Sequence, residues 1–253
     1  MRMYWILTGI IVVLILLAIM FGPNAWRLYK VTHLFDKNTI SYNFINMKEF
    51  FPTSTPIKAS NNPYVFKKRD DFLLPDLFEF EGEEKKIKEA IDYFNTDGLM
   101  ILKDGEIVYE NYWNKNKENS KHIIWSVSKS FLSALVGIAL NEGLIEDIND
   151  PIIKYLDDFK GTGYEEVSIK NLLQMSSGIK FNEDYGDPDS DINRYGRVTA
   201  TGTSQREFAK TLKNSKKPGT YNHYISLDSQ MLGMLVAEVS NTVSYTHLRA
   251  HET

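Results

Sequence analysis

The sequence contains no cysteine among its 253 residues. This absence excludes disulfide bonds, a thiolate nucleophile and a cysteine-ligated metal site. A surplus of basic residues is also lacking, because 33 acidic residues outnumber 29 lysines and arginines. Proteins that bind nucleic acids usually carry a net positive charge, so we expect no nucleic-acid partner. The remaining composition, 43% hydrophobic and 13% aromatic, is typical of a chain that folds around a hydrophobic core.

Charged residues are absent from Met3 to Trp26. The apolar part of this stretch, Tyr4–Phe21, would form a helix about 27 Å long, close to the hydrocarbon thickness of a bilayer. We therefore predict a transmembrane signal anchor at residues 1–26 that contacts the lipid bilayer through residues 4–21. A cleaved signal peptide is the alternative, although the apolar run is long for one and no small-residue cleavage site follows it.

Composition divides the rest of the chain into three parts. Residues 27–80 are rich in Asn, Pro and Phe, which predicts a spacer that wraps onto a domain. Residues 81–242 show the hydrophobic periodicity of a packed domain. Residues 243–253 continue no periodicity and resemble translated adaptor sequence, so we predict a non-native tail. We assign no metal to His247 and His251 in that tail, because a zinc site needs further ligands.

Hydrophobic periodicity and turn signals predict a mixed α+β fold. The predicted strands are Gly98–Leu102 and Glu106–Trp113, which the turn residues Asp104-Gly105 join as a hairpin. A polar segment at Phe181–Arg197 is predicted to be a loop. The predicted helices are Glu83–Asn95, Ser126–Asn141, Ile169–Met175, Gln205–Leu212 and Ser226–Ser240, the second and the last of them largely buried.

The motif with the clearest chemical meaning is Ser-x-x-Lys at Ser126 and Lys129. At the start of a helix, this spacing places the hydroxyl and the amine on one face. A serine needs a neighbouring base to act as a nucleophile, and burial in an apolar helix favours the neutral lysine that accepts a proton. The alternative is an N-cap serine beside a surface lysine. A second match, Ser177 and Lys180, follows a helix across a glycine, and we interpret it as chance.

A tyrosine lies just before the last predicted helix. Tyr224 and Ser226 follow a Pro-Gly-Thr turn and precede an apolar run. A phenol in this position could pass a proton to a leaving group. The alternative is a structural tyrosine in a loop.

Several short segments, in the same order, resemble the serine β-lactamase and penicillin-binding-protein-like superfamily. They are Trp125–Phe131, Ala134–Ala139, Glu142–Ile145, Asp150-Pro151, Leu172–Gly178, Pro218–Thr220 and Tyr224–Gly233. The chain is most similar to the class C-like branch that contains esterases and 6-aminohexanoate-dimer hydrolases, and the acidic segment Phe181–Asn193 is part of this similarity. The resemblance implies a β-lactamase/transpeptidase-like fold, an α/β sandwich plus an all-helical subdomain.

The resemblance also implies a role for each residue of the site. Ser126 would form the acyl-enzyme, Lys129 would be the general base, and Tyr224 would share the proton transfer. The family's second element is Tyr-x-Asn; here its last position is Ser226, as in the esterase-like branch, which weakens the case for a true β-lactamase. The third element, Lys-Thr-Gly or His-x-Gly on a sheet strand, is absent. We therefore expect the chain to be truncated at its C-terminus and to be inactive by itself.

Together these features predict a membrane-anchored serine hydrolase that cleaves a small-molecule amide or ester without a cofactor. One alternative is a DD-peptidase or β-lactamase acting on cell-wall or lactam substrates, and another is a catalytically silent sensor or binding module. Ser226, Tyr185 and Asp191 are candidate substrate-binding residues. The acidic segment around the last two favours a cationic substrate, whereas a solvated loop is the alternative.

The anchor and the resemblance together imply a location. We expect a single-pass protein of the bacterial inner membrane with its catalytic domain on the extracytoplasmic side. Basic residues flank both ends of the apolar run, at Arg2 and at Arg27, so charge alone does not set the orientation.

Overall fold

The fold is given by a computed structural model, which describes residues 29–50, 60–69, 71–201 and 204–241, together with residues 19, 22 and 26. The predicted bilayer contact at residues 4–21 lies outside the described residues except for Ile19, and so does the predicted tail at residues 243–253. Among the described residues, no helix combines the length and the apolar character needed to cross a bilayer.

The chain divides into two compact units. The first comprises Met1–Pro56 and Asn62–Ile123, and the second comprises Ile57–Asn61 and Ile124–Thr253. Both helices and strands are present, so the predicted α+β composition is confirmed. The described elements of the first unit are helices α1 (Ile40–Ile45) and α2 (Ile87–Tyr93), a 3-10 turn at Met47–Glu49, and strands β1 (Leu77–Phe80), β2 (Glu83–Lys86), β3 (Gly98–Lys103) and β4 (Glu106–Tyr112).

The hairpin of β1 and β2 corrects the predicted helix over Glu83–Asn95. The first residues of the predicted helix form strand β2 instead. This strand pairs antiparallel with β1, and Phe80 faces Glu83. The helix, α2, begins only at Ile87. Between the strands, Glu81 and Gly82 have φ values of 53° and 79°, the left-handed pair that a two-residue hairpin turn needs. The prediction rests on the apolar face of Ile87, Ile91 and Phe94, whereas the four charged residues before Ile87 carry no apolar pattern that would indicate a strand.

The hairpin of β3 and β4 is confirmed almost as predicted. Lys103 faces Glu106 across the Asp104-Gly105 turn, and a register shift lies between Ile101 and Leu102. Ile107 is buried, and its backbone also bonds with Lys67 and Arg69, so a third segment lies beside β4.

In the described residues of the second unit, the regular secondary structure is helical. Its α-helices are α3 (Ser128–Asn141), α4 (Ile169–Leu173), α5 (Asp191–Thr201), α6 (Gln205–Lys210) and α7 (Ser226–Val239), and its 3-10 turns are Trp125–Val127, Ile152–Lys154 and Asp157–Phe159. Helices α3 and α4 both pack against α7. The core between them includes Val136, Leu172 and Leu235, all buried. Burial of this apolar surface is the main force that holds the helices together.

Two predictions for this unit were wrong in part. The segment predicted as a loop at Phe181–Arg197 contains the start of α5. Asp191 in its first turn pairs with Arg194, an arrangement that favours a helix N-terminus. Helix α3 is buried on one face only, since Phe131 on the other face is 52% exposed. By contrast, α4 begins as predicted at the N-cap Ser168, which forms a capping box.

Candidate active site

Ser126 lies in a tight turn that immediately precedes α3. The 3-10 turn Trp125–Val127 contains it, and the N-cap of α3 is Val127, which makes no side-chain cap. The alternative of Ser126 as the N-cap serine is therefore wrong. Trp125 has a φ of 42°, an unfavourable left-handed conformation for a bulky residue. The Ser128 hydroxyl donates to the Trp125 carbonyl at 2.7 Å and stabilises this turn.

Lys129 belongs to the first turn of α3 and reaches back to Ser126. Its Nζ lies 2.9 Å from the Ser126 Oγ, a hydrogen-bond distance. The spacing of three residues therefore brings the two groups together as predicted. Ser126 is exposed, whereas Lys129 is half-buried, so a substrate could approach the serine while the amine remains partly shielded from water.

Tyr224 completes this cluster from the segment that precedes α7. Its phenol donates to the Ser126 Oγ at 2.8 Å, and the Lys129 Nζ lies 5.2 Å from the centre of its ring. The preceding residue, His223, holds the segment in place, because its amide N–H donates to the Met175 carbonyl at 2.8 Å. Burial raises the pKa of Tyr224, but its hydrogen bonds with Lys129 and Ser126 and the charge of Lys129 outweigh burial and lower the pKa overall.

Ser226 lies on the other side of the amine. Its Oγ accepts a hydrogen bond from the Lys129 Nζ at 3.5 Å. The same residue begins α7, and a cavity of about 520 Å³ opens between α3 and α7 beside it. Lys129, Leu132, Ser226 and Met234 are among the residues that line this cavity. Ser226 therefore contacts the Lys129 amine and also faces open space.

Glu183 is part of the site, although it was not among the residues predicted from the sequence. One carboxylate oxygen accepts the Ser226 amide N–H at 3.0 Å, and the other accepts the Ser226 hydroxyl. The Tyr185 hydroxyl also donates to Glu183, at 3.1 Å. Among several acidic residues in this segment, no spacing signal distinguishes Glu183. Only the fold, which brings this segment to α7, identifies it.

The candidate substrate-binding residues Tyr185 and Asp191 have different surroundings. Tyr185 is exposed and joins the network through its hydrogen bond with Glu183. The pKa of Tyr185 is raised, first by burial of its hydroxyl and then by the charge of Glu183. Asp191 accepts the Asn182 amide N–H at 2.8 Å and pairs with Arg194 at 3.0 Å. Its carboxylate therefore holds the acidic segment against α5. Within the described ranges, no group of three or more histidine and acidic side chains could hold a metal ion.

The second Ser-x-x-Lys match has none of these properties. Ser177 is buried and its hydroxyl accepts the Ile179 amide N–H, while Lys180 is exposed. The interpretation of this match as chance agrees with these positions. Of the two matches with this spacing, the side chains form a hydrogen bond in the one where a helix starts between the two residues.

A buried carboxyl group lies close to the site. Asp228 is in the first turn of α7 and is fully buried, and within the described part of the chain neither of its oxygens accepts a well-formed hydrogen bond. Burial raises the pKa of Asp228 to about 7. Nearby Ser177 and Tyr164 lower this pKa, and the charge of Glu183 raises it, but burial is the largest influence.

Comparison with known proteins gives a family match. Residues 85–249 match the family model described as Beta-lactamase. The chain is 29% identical, over 174 residues, to the 6-aminohexanoate-dimer hydrolase of Paenarthrobacter ureafaciens, an alignment that covers 66% of this chain and 41% of the relative. It is also 26% identical over 150 residues to a beta-lactamase of Pseudomonas fluorescens, with coverages of 55% and 38%.

A solved structure is similar to the fold as a whole. It is a Bacillus anthracis protein provisionally assigned as a 6-aminohexanoate-dimer hydrolase, with a TM-score of 0.71 and 19% identity over 83% of this chain and 57% of that chain. This chain thus spans less than two thirds of the length of these relatives. The predicted β-lactamase/transpeptidase-like fold and the resemblance on which it rests are both confirmed. The family match covers more than half of the sequence, and the chain therefore belongs to the beta-lactamase family.

Proposed function

We propose that this protein is a serine hydrolase that cleaves an amide or an ester through an acyl-serine intermediate. The observation that supports it best is the position of the Ser126 Oγ, which lies 2.9 Å from the Lys129 Nζ and 2.8 Å from the Tyr224 hydroxyl. A nucleophile needs a proton acceptor within hydrogen-bond distance, and a leaving group needs a donor. The cluster provides both next to one exposed hydroxyl.

In the proposed acylation, the Ser126 Oγ forms a bond to the substrate's carbonyl carbon and its proton passes to the Lys129 Nζ. Collapse of the tetrahedral intermediate then breaks the bond to the leaving nitrogen or oxygen. Tyr224 donates its phenolic proton to that atom, and the proton held by Lys129 returns to Tyr224. Water then attacks the acyl-enzyme, releases the acid and restores the serine hydroxyl. The lowered pKa of Tyr224 eases its loss of a proton in this cycle.

A fluorophosphonate probe, applied to the full-length protein, tests the nucleophile. We expect labelling on Ser126, with loss of fluoride from the probe, and no labelling after Ser126→Ala. The matched control is Ser177→Ala, which removes the other Ser-x-x-Lys serine and should leave the labelling in place. Circular dichroism shows whether each variant is folded. Labelling that survives Ser126→Ala, or that Ser177→Ala removes in a folded protein, contradicts the proposal.

The substrate is proposed to be a small amide or ester. Two relatives of this chain are named a 6-aminohexanoate-dimer hydrolase and a beta-lactamase, and these names indicate two kinds of substrate, a dimer and a lactam. Ser226 at the position of the family's asparagine favours the first kind over a lactam. A panel of linear amides, esters and a fluorescent penicillin separates the two. Stable acylation of Ser126 by the penicillin would instead favour a DD-peptidase or β-lactamase.

We also propose that residues 4–21 anchor the protein in the bacterial inner membrane, with the catalytic domain on the extracytoplasmic side. The support is the uncharged, apolar character of this stretch and its length, which matches a bilayer. Membranes washed with alkaline carbonate should retain the protein, and protease added to spheroplasts should digest its domain. Release by carbonate would contradict the anchor, and protection from protease would indicate the reverse orientation.

A further inference from the structure

We propose that Glu183 is a positioning residue of this site, which orients the Ser226 hydroxyl so that the amine of Lys129 can accept the proton of Ser126. The inference rests on the proposed function, since it requires Ser126 to be the nucleophile. In the described part of the chain, the hydrogen bonds of the Glu183 carboxylate are with Ser226 and Tyr185. Glu183 acts through Ser226, which lies between the carboxylate and the amine.

The contacts of the carboxylate determine the direction of the Ser226 hydroxyl. Glu183 accepts both the amide N–H and the hydroxyl of Ser226, one on each oxygen. A serine hydroxyl has one hydrogen, and this hydrogen is directed to Glu183. Toward Lys129, 3.5 Å away, the Ser226 oxygen can therefore only accept.

This direction decides how a neutral amine is oriented. The uncharged amine of Lys129 has two hydrogens and one lone pair. If one hydrogen is donated to Ser226, the lone pair remains available for the Ser126 hydroxyl, 2.9 Å away. If the Ser226 hydroxyl instead pointed at Lys129, it would occupy that lone pair, and the amine could only donate to Ser126. A base that can only donate cannot activate the nucleophile.

Contacts of the two residues that precede Glu183 hold it in place. The residue before it, Asn182, donates its amide N–H to Asp191 at 2.8 Å and accepts the Ile192 amide N–H at 3.1 Å. Phe181 is buried, and its carbonyl lies 3.0 Å from the Nε2 of His223. The segment that carries the carboxylate is thus joined to α5 and to the residue before Tyr224. Such support from neighbouring elements is typical of groups that position a reacting side chain.

Glu183→Gln tests the role with little change in shape. The amide offers one accepting oxygen, so it cannot accept both Ser226 groups as the two carboxylate oxygens do, and its NH₂ can donate to the Ser226 oxygen. The hydroxyl is then free to point at Lys129. We expect the second-order rate constant for labelling of Ser126 by an alkyl fluorophosphonate to fall about 10- to 100-fold, the scale of a misplaced catalytic group. The final stoichiometry of labelling should not change.

The comparison of rate with stoichiometry separates positioning from structural damage. A variant that merely misfolds in part would lower the stoichiometry and leave the rate of the remaining sites unchanged, and that result would overturn the proposal. Glu166→Gln is the matched control. It neutralises an exposed carboxylate outside this network and should leave the rate unchanged.

A double-mutant cycle tests whether Glu183 acts through Ser226. We expect Ser226→Ala to slow the labelling of Ser126. When Glu183→Gln is added to the Ser226→Ala variant, the rate should fall by less than about a further threefold, because the effects of coupled residues are not additive. Equal effects of Glu183→Gln with and without Ser226 would overturn the inference. If the unmodified full-length protein does not label at Ser126 at all, the proposed function fails. If the unmodified protein labels at Ser126 and Glu183→Gln labels at the same rate, the positioning role is refuted but the proposed function is not.

Discussion

Replacing Asp228 with asparagine should remove a large part of the pH dependence of the free energy of unfolding. Asp228 is fully buried, and burial raises its pKa from the ordinary 3.8 to about 7. The folded state therefore holds this proton more tightly than the unfolded chain does. The associated stability is fully present below about pH 4 and is lost as the pH rises through about 7.

The size of the effect follows from the two pKa values. A difference of about 3 pH units corresponds to about 4 kcal/mol, since each unit is worth about 1.4 kcal/mol. Most folded domains have a total stability of only about 5–15 kcal/mol. A loss of this size should therefore be easy to measure. Asparagine keeps the shape of the side chain and has no proton to lose in this range.

Urea unfolding followed by circular dichroism at a series of pH values from 4.5 to 8.5 measures the effect. The stability of Asp228→Asn relative to the unmodified protein should increase by about 3 kcal/mol across that series. Glu166→Gln, which removes an exposed carboxylate, should give a curve parallel to that of the unmodified protein. Parallel curves for Asp228→Asn would show that the carboxyl group does not titrate near neutral pH and would refute the reasoning.

Four further substitutions test the packing of the second unit by urea unfolding. Leu235→Ala should cost about 2–5 kcal/mol, because the side chain is fully buried in the core; a smaller loss would mean that the core can collapse around it. Ser168→Ala should cost about 0.5–2 kcal/mol through loss of the capping box. Gly178→Ala should cost clearly more than Gly143→Ala. Both glycines have φ near 74°, but only at Gly178 would the new carbon meet a backbone oxygen, that of Lys216, at 2.2 Å; equal costs would contradict this.

The core of the site could be predicted because its chemistry is local. Ser126 and Lys129 are three residues apart, so the start of a helix brings them together whatever the remainder of the chain does. The Asp104-Gly105 hairpin was predictable for the same reason, since its turn depends on two adjacent residues. Tyr224 lies 98 residues from Ser126, and the order of motifs in a known family, rather than any spacing rule, predicted their contact.

The failures have a common physical cause. The strand at Glu83–Lys86 exists because it pairs with β1, and its charged side chains resemble those on an exposed helix surface. The helix α5 arises inside a segment whose polar composition is typical of loops, and it is anchored by contacts with Asn182. In both places the deciding contacts are made with another segment, and composition does not report them.

The amino-acid sequence by itself predicted the candidate nucleophile, its proposed base, the tyrosine and the family, because local helix geometry and an ordered set of motifs carry that information. Only the tertiary structure decided that Glu183, 43 residues before its partner Ser226, holds that hydroxyl, and that Asp228 is buried without a well-formed hydrogen bond. Hydrogen-bond direction and burial depend on which groups are brought within about 3 Å of one another. For residues this far apart in the chain, the packing of α7 and its neighbours sets those distances.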